Sequence, residues 1–313
     1  MGKIVFGVDI GGTTVKLGMF DSQGTVLEKW EIPTVTEDHG SHILKDIADS
    51  VNEKRAACGY AAEDVIGVGV GAPGPVDAAG LIYGAVNLGW GDLNIAETLQ
   101  PLVGVPVKAG NDANVAALGE MWKGGGRGCQ DVVAVTLGTG VGGGIIVNGS
   151  LVAGFNGAGG EIGHMLVEEE ETEHCNCGLC GCLEQYASAT GVVRLAKRRL
   201  AQDEAASSLR SFGDALTCKD VWDAVREGDA LAVEIAQRFG YYLGKGLAAV
   251  ACVANPEVFV IGGGVSKAGE ILFEYIEPSY QKYAFKGCRK ARFQLAELGN
   301  DAGIYGAAKL VLG

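Results

Sequence analysis

No stretch of this 313-residue chain is apolar for long enough to cross a bilayer. A helical span needs about 18 to 20 uncharged residues, and the best candidate, residues 246–254, is cut off at Asn255-Pro256-Glu257. The first ten residues hold Asp9 inside their apolar run and show no leader cleavage pattern, and Phe6 breaks the myristoylation motif. The expectation is a soluble, cytoplasmic protein with no membrane partner. Positive charge is scarce as well: 25 Lys and Arg against 38 Asp and Glu leave a formal charge of -13. Such a balance repels a polyanion, which argues against nucleic acid as a partner. Nothing matches the Walker pattern G-x-x-x-x-G-K-[ST]. The one G-x-G-x-x-G by letter, Gly69, Gly71 and Gly74, has Pro73 and Pro75 where a helix would have to start.

What the chain does have is glycine and cysteine. Its 51 glycines fall in short clusters beside apolar runs, the pattern of tight turns at which backbone closes on a ligand. Its nine cysteines are an odd number without a leader, which points to a reducing compartment where crowded thiols bind metal. Cys58, Cys129, Cys218, Cys252 and Cys288 are scattered and read as small buried hydrophobes. Cys175, Cys177, Cys180 and Cys182 crowd into eight residues.

With 48% hydrophobic residues the chain can fill two cores. Residues 3–10 form a β-branched run ending in Gly11-Gly12-Thr13-Thr14, a second run spans 15–20, and a third spans 25–32, so the chain opens as an antiparallel meander. Helical spacing over 42–58 and a strand over 65–70 follow, stopped by the prolines of Gly71-Ala72-Pro73-Gly74-Pro75. The opening pattern returns in the middle: an apolar run over 131–137, the turn Gly138-Thr139-Gly140, and a returning strand over 143–147. Repetition at this spacing is duplication of domain size. It predicts an α/β protein of two related lobes with a cleft between them: residues 1–112, joined by a last helix over 301–313, and a larger lobe over 113–300. A strand over 105–109 passes into a helix ending near Trp122, helices span 188–200 and 230–253, and a strand over 258–261 runs into Gly262-Gly263-Gly264. Asp301 suits the N-cap of the last helix.

Three features carry chemistry. In the first, the glycines of Gly11-Gly12-Thr13-Thr14 let backbone N–H groups approach phosphate, the Thr13 and Thr14 hydroxyls add donors, and Asp9 can hold Mg²⁺. Gly138-Thr139-Gly140 and Gly262-Gly263-Gly264 are turns of the same character, and three such loops can enclose one nucleotide. In the second, the glycine-spaced thiols between Cys175 and Cys182, with His164 upstream, suit zinc, which takes four soft or borderline ligands. Glu161 and Glu184 flank them, and each carboxylate can accept hydrogen bonds from two hydroxyls. The acidic residues 168–171 and Glu173 read as a solvated loop. In the third, Asp112 stands between strand and helix in Gly110-Asn111-Asp112-Ala113-Asn114, where it serves either as a helix cap or as a base for an attacking hydroxyl.

Asp9-Ile10-Gly11-Gly12-Thr13 resembles the first phosphate loop of the actin-like ATPase and sugar-kinase superfamily. Gly160-Glu161-Ile162-Gly163-His164 with Cys175-Asn176-Cys177-Gly178-Leu179-Cys180-Gly181-Cys182-Leu183-Glu184 resembles the signature of the ROK group of sugar kinases. The resemblance runs over essentially the whole chain and implies two ribonuclease-H-like lobes closing over ATP and a sugar. It makes residues 138–140 the second phosphate loop and places residues 262–264 toward the adenosine. It makes His164, Cys175, Cys177 and Cys182 the ligands of a structural zinc, with Cys180 or His174 as possible exchanges. Asn87, Asn111, Glu161, His164 and Glu184 would touch the sugar, and Asp112 would be the general base. Asn87-Leu88-Gly89-Trp90 and Gly119-Glu120-Met121-Trp122-Lys123-Gly124 resemble glucokinases of Gram-positive bacteria, which implies ATP with Mg²⁺ as donor and the 6-hydroxyl of glucose as acceptor. The alternatives are N-acetylmannosamine, allose, fructose or mannose as acceptor, polyphosphate as donor, or a sugar-sensing repressor. The family habit implies a homodimer or homotetramer.

Overall fold

The computed structural model describes residues 2–313, and no helix among them is long and apolar enough to cross a membrane. The chain divides into two compact units. The first comprises Met1–Gly128, Gly144–Gly160 and Glu297–Gly313. Its strands are β1 (Ile4–Ile10), β2 (Thr14–Asp21), β3 (Val26–Pro33), β4 (Val65–Ala72), a hairpin of β5 (Leu81–Ala85) with β6 (Trp90–Asn94), and β7 (Val107–Asn111). The sheet order is β3-β2-β1-β4-β7, with the opening meander antiparallel and β4 and β7 parallel to β1.

Both faces of this sheet are covered, so β1 is apolar except at Asp9 near its end. Ile4, Phe6, Val8 and Ile10 pack with Ile43 and Ile47 of the helix Ile43–Ala57 and with Leu99 of the helix Ile95–Val103. Val5 points the other way, to Ile304 and Ala308 of the last helix, Ala302–Leu312, as the two-residue period of a strand requires. That helix lies directly on the sheet because two glycines let it: a Cβ at Gly7 would sit 1.9 Å from the Ile304 carbonyl oxygen, and one at Gly69 would sit 1.7 Å from that of Ala307. It also crosses the helix Asp112–Lys123 at glycines, Gly306 against the Val115 carbonyl and Gly119 against that of Ala302.

This crossing is why the helix after Asn111 groups with the first unit and not, as the sequence suggested, with the second. Asp301 likewise departs from expectation: its carboxylate makes no cap and pairs with Lys29 at 2.6 Å. The chain first leaves the first unit after Gly128 and re-enters it for the last time at Glu297. At both places it is held by Glu120, whose buried carboxylate accepts the N–H groups of Gly125 (2.9 Å), Glu297 (3.0 Å) and Leu298 (2.9 Å).

The second unit comprises Cys129–Gly143 and Glu161–Ala296. Its strands β8 (Val132–Leu137), β11 (Val258–Gly262) and β12 (Arg292–Leu295) run parallel, and β8 turns through residues 138–140 into β9 (Val141–Val147), whose end pairs with β10 (Ser150–Leu151). The order β9-β8-β11-β12 repeats β2-β1-β4-β7. The duplication read from the two glycine turns is thus a duplication of topology. Helices Ala189–Leu200, Cys218–Arg226, Ala230–Ala254 and Ile271–Tyr283 complete this unit.

Candidate active site

In the first unit, Asp9 lies near the end of β1, beside the glycine turn that leads into β2. There Gly11 N–H donates to the Thr14 carbonyl at 3.0 Å and the Thr34 hydroxyl donates to the Gly11 carbonyl at 2.8 Å, which leaves Gly12 and Thr13 exposed. The Asp9 carboxylate has room only because residue 303 is glycine, where a Cβ would stand 2.4 Å from its Cγ. Capping, one of the two tasks the sequence left open for Asp112, falls to its neighbour. Asn111 is the cap: its Oδ1 accepts Asn114 N–H at 3.1 Å, and its Nδ2 donates to the Gly74 carbonyl at 3.1 Å and to Asp112 Oδ1 at 3.0 Å. Asp112 Oδ1 also accepts Ala113 N–H at 2.7 Å, and none of these bonds uses Oδ2.

Burial lifts Asp9 to about 6, with the negative charge of Asp112 adding to the rise and Lys16 opposing it. Burial raises Asp112 too, against the hydrogen bonds from Ala113 and Asn111. A buried carboxylate repelled by a second one, with a single lysine in opposition, is a donor set that a divalent cation fits. Asn87 stands exposed on the turn Val86–Leu88 between β5 and β6, and among the described residues no hydrogen bond joins its side chain to Asn111 or Asp112.

In the second unit, four predicted ligands come together. One donor atom each from His164, Cys175, Cys177 and Cys182 lie within 4.8 Å of one another. Cys177 Sγ to Cys182 Sγ is 3.6 Å and Cys175 Sγ to His164 Nδ1 is 3.9 Å. These separations match the ~3.8 Å edge of a tetrahedron built on Zn–S bonds of about 2.3 Å. The loop reaches this shape through Gly178 and Gly181, both at left-handed φ, and through Cys175 N–H donating to the Leu179 carbonyl at 2.7 Å. Cys180 and His174 face each other instead, 3.4 Å apart. Burial pushes the Cys182 thiol up to about 12 and raises Cys175, while the Leu179 backbone holds Cys177 low.

Glu184 follows the last thiol by two residues. Its Oε2 accepts Val141 N–H at 2.9 Å and its Oε1 lies 3.6 Å from Cys175 Sγ. Glu161 opens the turn Ile162–His164, its half-exposed carboxylate 3.9 Å from His164 Nε2. The ring of His164 therefore presents Nδ1 to the thiols and Nε2 to Glu161. The glycine turn 138–140 leads into Val141 and so into Glu184, and the turn 262–264 abuts the same strand end, a Cβ at Gly263 falling 2.5 Å from the Leu137 carbonyl oxygen. Gly264 has open space around it.

The acidic stretch is only in part the solvated loop the sequence suggested, for Glu169, Glu170 and Glu173 are exposed while Glu171 is not. Glu171 has a side chain only 2% exposed, paired with Arg194 and with Arg198 at 2.8 Å, and accepting the Tyr186 hydroxyl at 2.6 Å. Glu168 accepts the Tyr242 hydroxyl at 2.8 Å. The partners are one turn apart on the helix Ala189–Leu200 and so share one face of it, a relation that the run of glutamates does not disclose. Missed as well were Thr190, which reaches the second glycine turn, and Gly303.

The family model described as ROK family matches residues 5–313. A glucokinase of Halalkalibacterium halodurans is 44% identical over 309 residues, covering 97% of this chain and 94% of that protein. The solved ROK family glucokinase of Streptomyces griseus, in complex with glucose and AMPPNP, is 36% identical with a TM-score of 0.73, covering 98% of each chain. The ROK hexokinase of Thermus thermophilus is 31% identical with a TM-score of 0.81, over 98% of this chain and 97% of that one. Matched by the ROK family model over residues 5–313 and by a 44% identical relative over 97% of its length, the chain belongs to the ROK family.

Proposed function

We propose that this chain is an ATP-dependent glucokinase, transferring the γ-phosphoryl group of ATP to the 6-hydroxyl of glucose to give glucose 6-phosphate and ADP. The observation that carries this reading is the 44% identity to a glucokinase across 97% of the chain. Phosphoryl transfer to an alcohol needs an in-line hydroxyl, neutralisation of the phosphate charge and an acceptor for the hydroxyl proton. Asp112 Oδ2 takes that proton, and a carboxylate raised by burial is the better base near neutral pH. Asn111 holds Asp112 Oδ1 so that Oδ2 faces the acceptor.

Gly11, Gly12, Thr13 and Thr14 supply donors to the phosphates, and residues 138–140 and 262–264 hold the rest of the nucleotide. Mg²⁺ beside Asp9 would offset the triphosphate charge. Glu161, His164 and Glu184 hold the sugar, with Asn87 and Asn111 at its border. Zinc on His164, Cys175, Cys177 and Cys182 would stiffen the loop and fix the His164 ring, leaving Nε2 in one direction. The chain is taken to work in the cytoplasm as a homodimer or homotetramer, on family habit.

A coupled assay of ADP release over a panel of sugars tests the reading. Glucose should give the highest kcat/KM with ATP and Mg²⁺. A clear preference for mannose, fructose, allose or an N-acetylated hexosamine would overturn it.

A further inference from the structure

The second glycine turn is hydrogen-bonded at Gly138 and Thr139 to one short stretch, 184–190, against which Gly140 also lies and which begins two residues after the last thiol of the quartet. The Gly138 carbonyl accepts Ala189 N–H at 2.8 Å. The Thr139 carbonyl accepts the Thr190 hydroxyl at 2.7 Å. A Cβ at Gly140 would stand 2.2 Å from Glu184 Oε2, the oxygen that receives Val141 N–H at 2.9 Å. The stretch is itself stiff, since the Ser188 hydroxyl donates to the Glu184 carbonyl at 2.7 Å and caps the helix Ala189–Leu200 by accepting Gly191 N–H at 2.9 Å.

In a planar trans peptide the C=O and N–H point in opposite directions. Anchoring the carbonyls of Gly138 and Thr139 to residues 189 and 190 therefore turns the N–H groups of Thr139 and Gly140 away from that anchor. Neither N–H takes part in the bonds just described, and two successive outward N–H groups are what an anion-binding turn presents.

We propose that Thr190 is a positioning residue for the phosphoryl donor: its hydroxyl, beside Ala189 N–H and Glu184, sets the peptide planes of residues 138–140 so that the N–H groups of Thr139 and Gly140 face the triphosphate. This rests on the kinase reading above, in which that turn is a phosphate loop. It also places the nucleotide loop and the metal loop on one continuous piece of chain.

The test uses the full chain with Thr190→Val and Thr190→Ser, an exposed position whose replacement leaves the core untouched. Binding of a non-hydrolysable ATP analogue with Mg²⁺ is measured by calorimetry, together with KM for ATP and the Kd for glucose. Thr190→Val should weaken analogue binding and raise KM for ATP about tenfold, the effect of one hydrogen bond on affinity. Glucose binding should stay within about twofold, because Thr190 sits on the nucleotide side. Thr190→Ser should behave as the parent protein does. Unchanged analogue binding in Thr190→Val, an equal loss of glucose binding, or a Thr190→Ser as weak as Thr190→Val would each overturn the proposal. Failure of the kinase reading would show separately, as a parent protein that binds the analogue and phosphorylates no sugar.

Discussion

Asp112 and Asn111 are neighbours in sequence and carry different loads. Asn111 spends both ends of its amide inside the protein, on Asn114, Gly74 and Asp112. Replacing Asp112 with Ala should lower kcat about 10³-fold, in the range seen for loss of a general base, with little change in the Kd for glucose. Turnover near that of the parent would take Asp112 out of the role. Asp9 gives a pH prediction. Its carboxyl titrates at about 6 in the folded chain against an ordinary 3.8, so the folded state holds the proton more tightly than the unfolded one. Between those values stability falls as pH rises, and above pH 6 the ligand-free fold carries a cost of ~3 kcal/mol. Asp9→Asn should therefore raise the Tm of the ligand-free protein at neutral pH and lose that advantage below pH 4, while turnover collapses. Melting curves that coincide at neutral pH would contradict the assignment.

At the scale of elements, the loop of the quartet is braced from behind by Glu171. The Arg198 guanidinium beside it, with the Tyr186 hydroxyl and Arg194, holds its carboxyl well below the usual range. For a group depressed on folding, the stabilisation is complete above the unfolded value near 4.5 and is lost as pH falls below it. Glu171→Gln leaves Arg194 and Arg198 only the exposed Glu173 as a shared anion and should cost about 1.5–3 kcal/mol at neutral pH. The gap from the parent should narrow as the parent is acidified below pH 4, and a difference in denaturation midpoint that does not change with pH would argue against the ion cluster as its cause.

Elements also differed in how legible they were. The meander, the first long helix and β11 follow from period and turn residues. The helix Ile271–Tyr283 contains Pro278, and Ile95–Val103 contains Pro101, which local rules read as interruptions. Pro278 persists because it and Glu274, whose carbonyl loses its partner, both lie on the solvent face where water can take the bond.

At the scale of the molecule, Glu120 is the point where exit and re-entry of the first unit are tied together. Three backbone N–H groups replace the cation that a buried carboxylate would otherwise need. Glu120→Ala would orphan all three and should cost about 3 kcal/mol or more, read as a lower midpoint in chemical denaturation. An unchanged midpoint would mean that water satisfies them.

The residue types at the site and the family were legible in the chain because turn glycines, thiol spacing and duplicated runs are local patterns. The expectation that His164, Cys175, Cys177 and Cys182 would converge came with the ROK resemblance, since the crowded thiols alone left Cys180 and His174 open as exchanges. What only the tertiary structure decided depends on partners distant in sequence. Glu171 is buried because Arg194 and Arg198 face it, the helix after Asn111 joins the first unit because glycines let it cross the last helix, and Asp112 is spared from capping because Asn111 reaches Asn114 and Gly74 together. Each of these is a choice among bonds that the local sequence leaves equally open, and packing settles it.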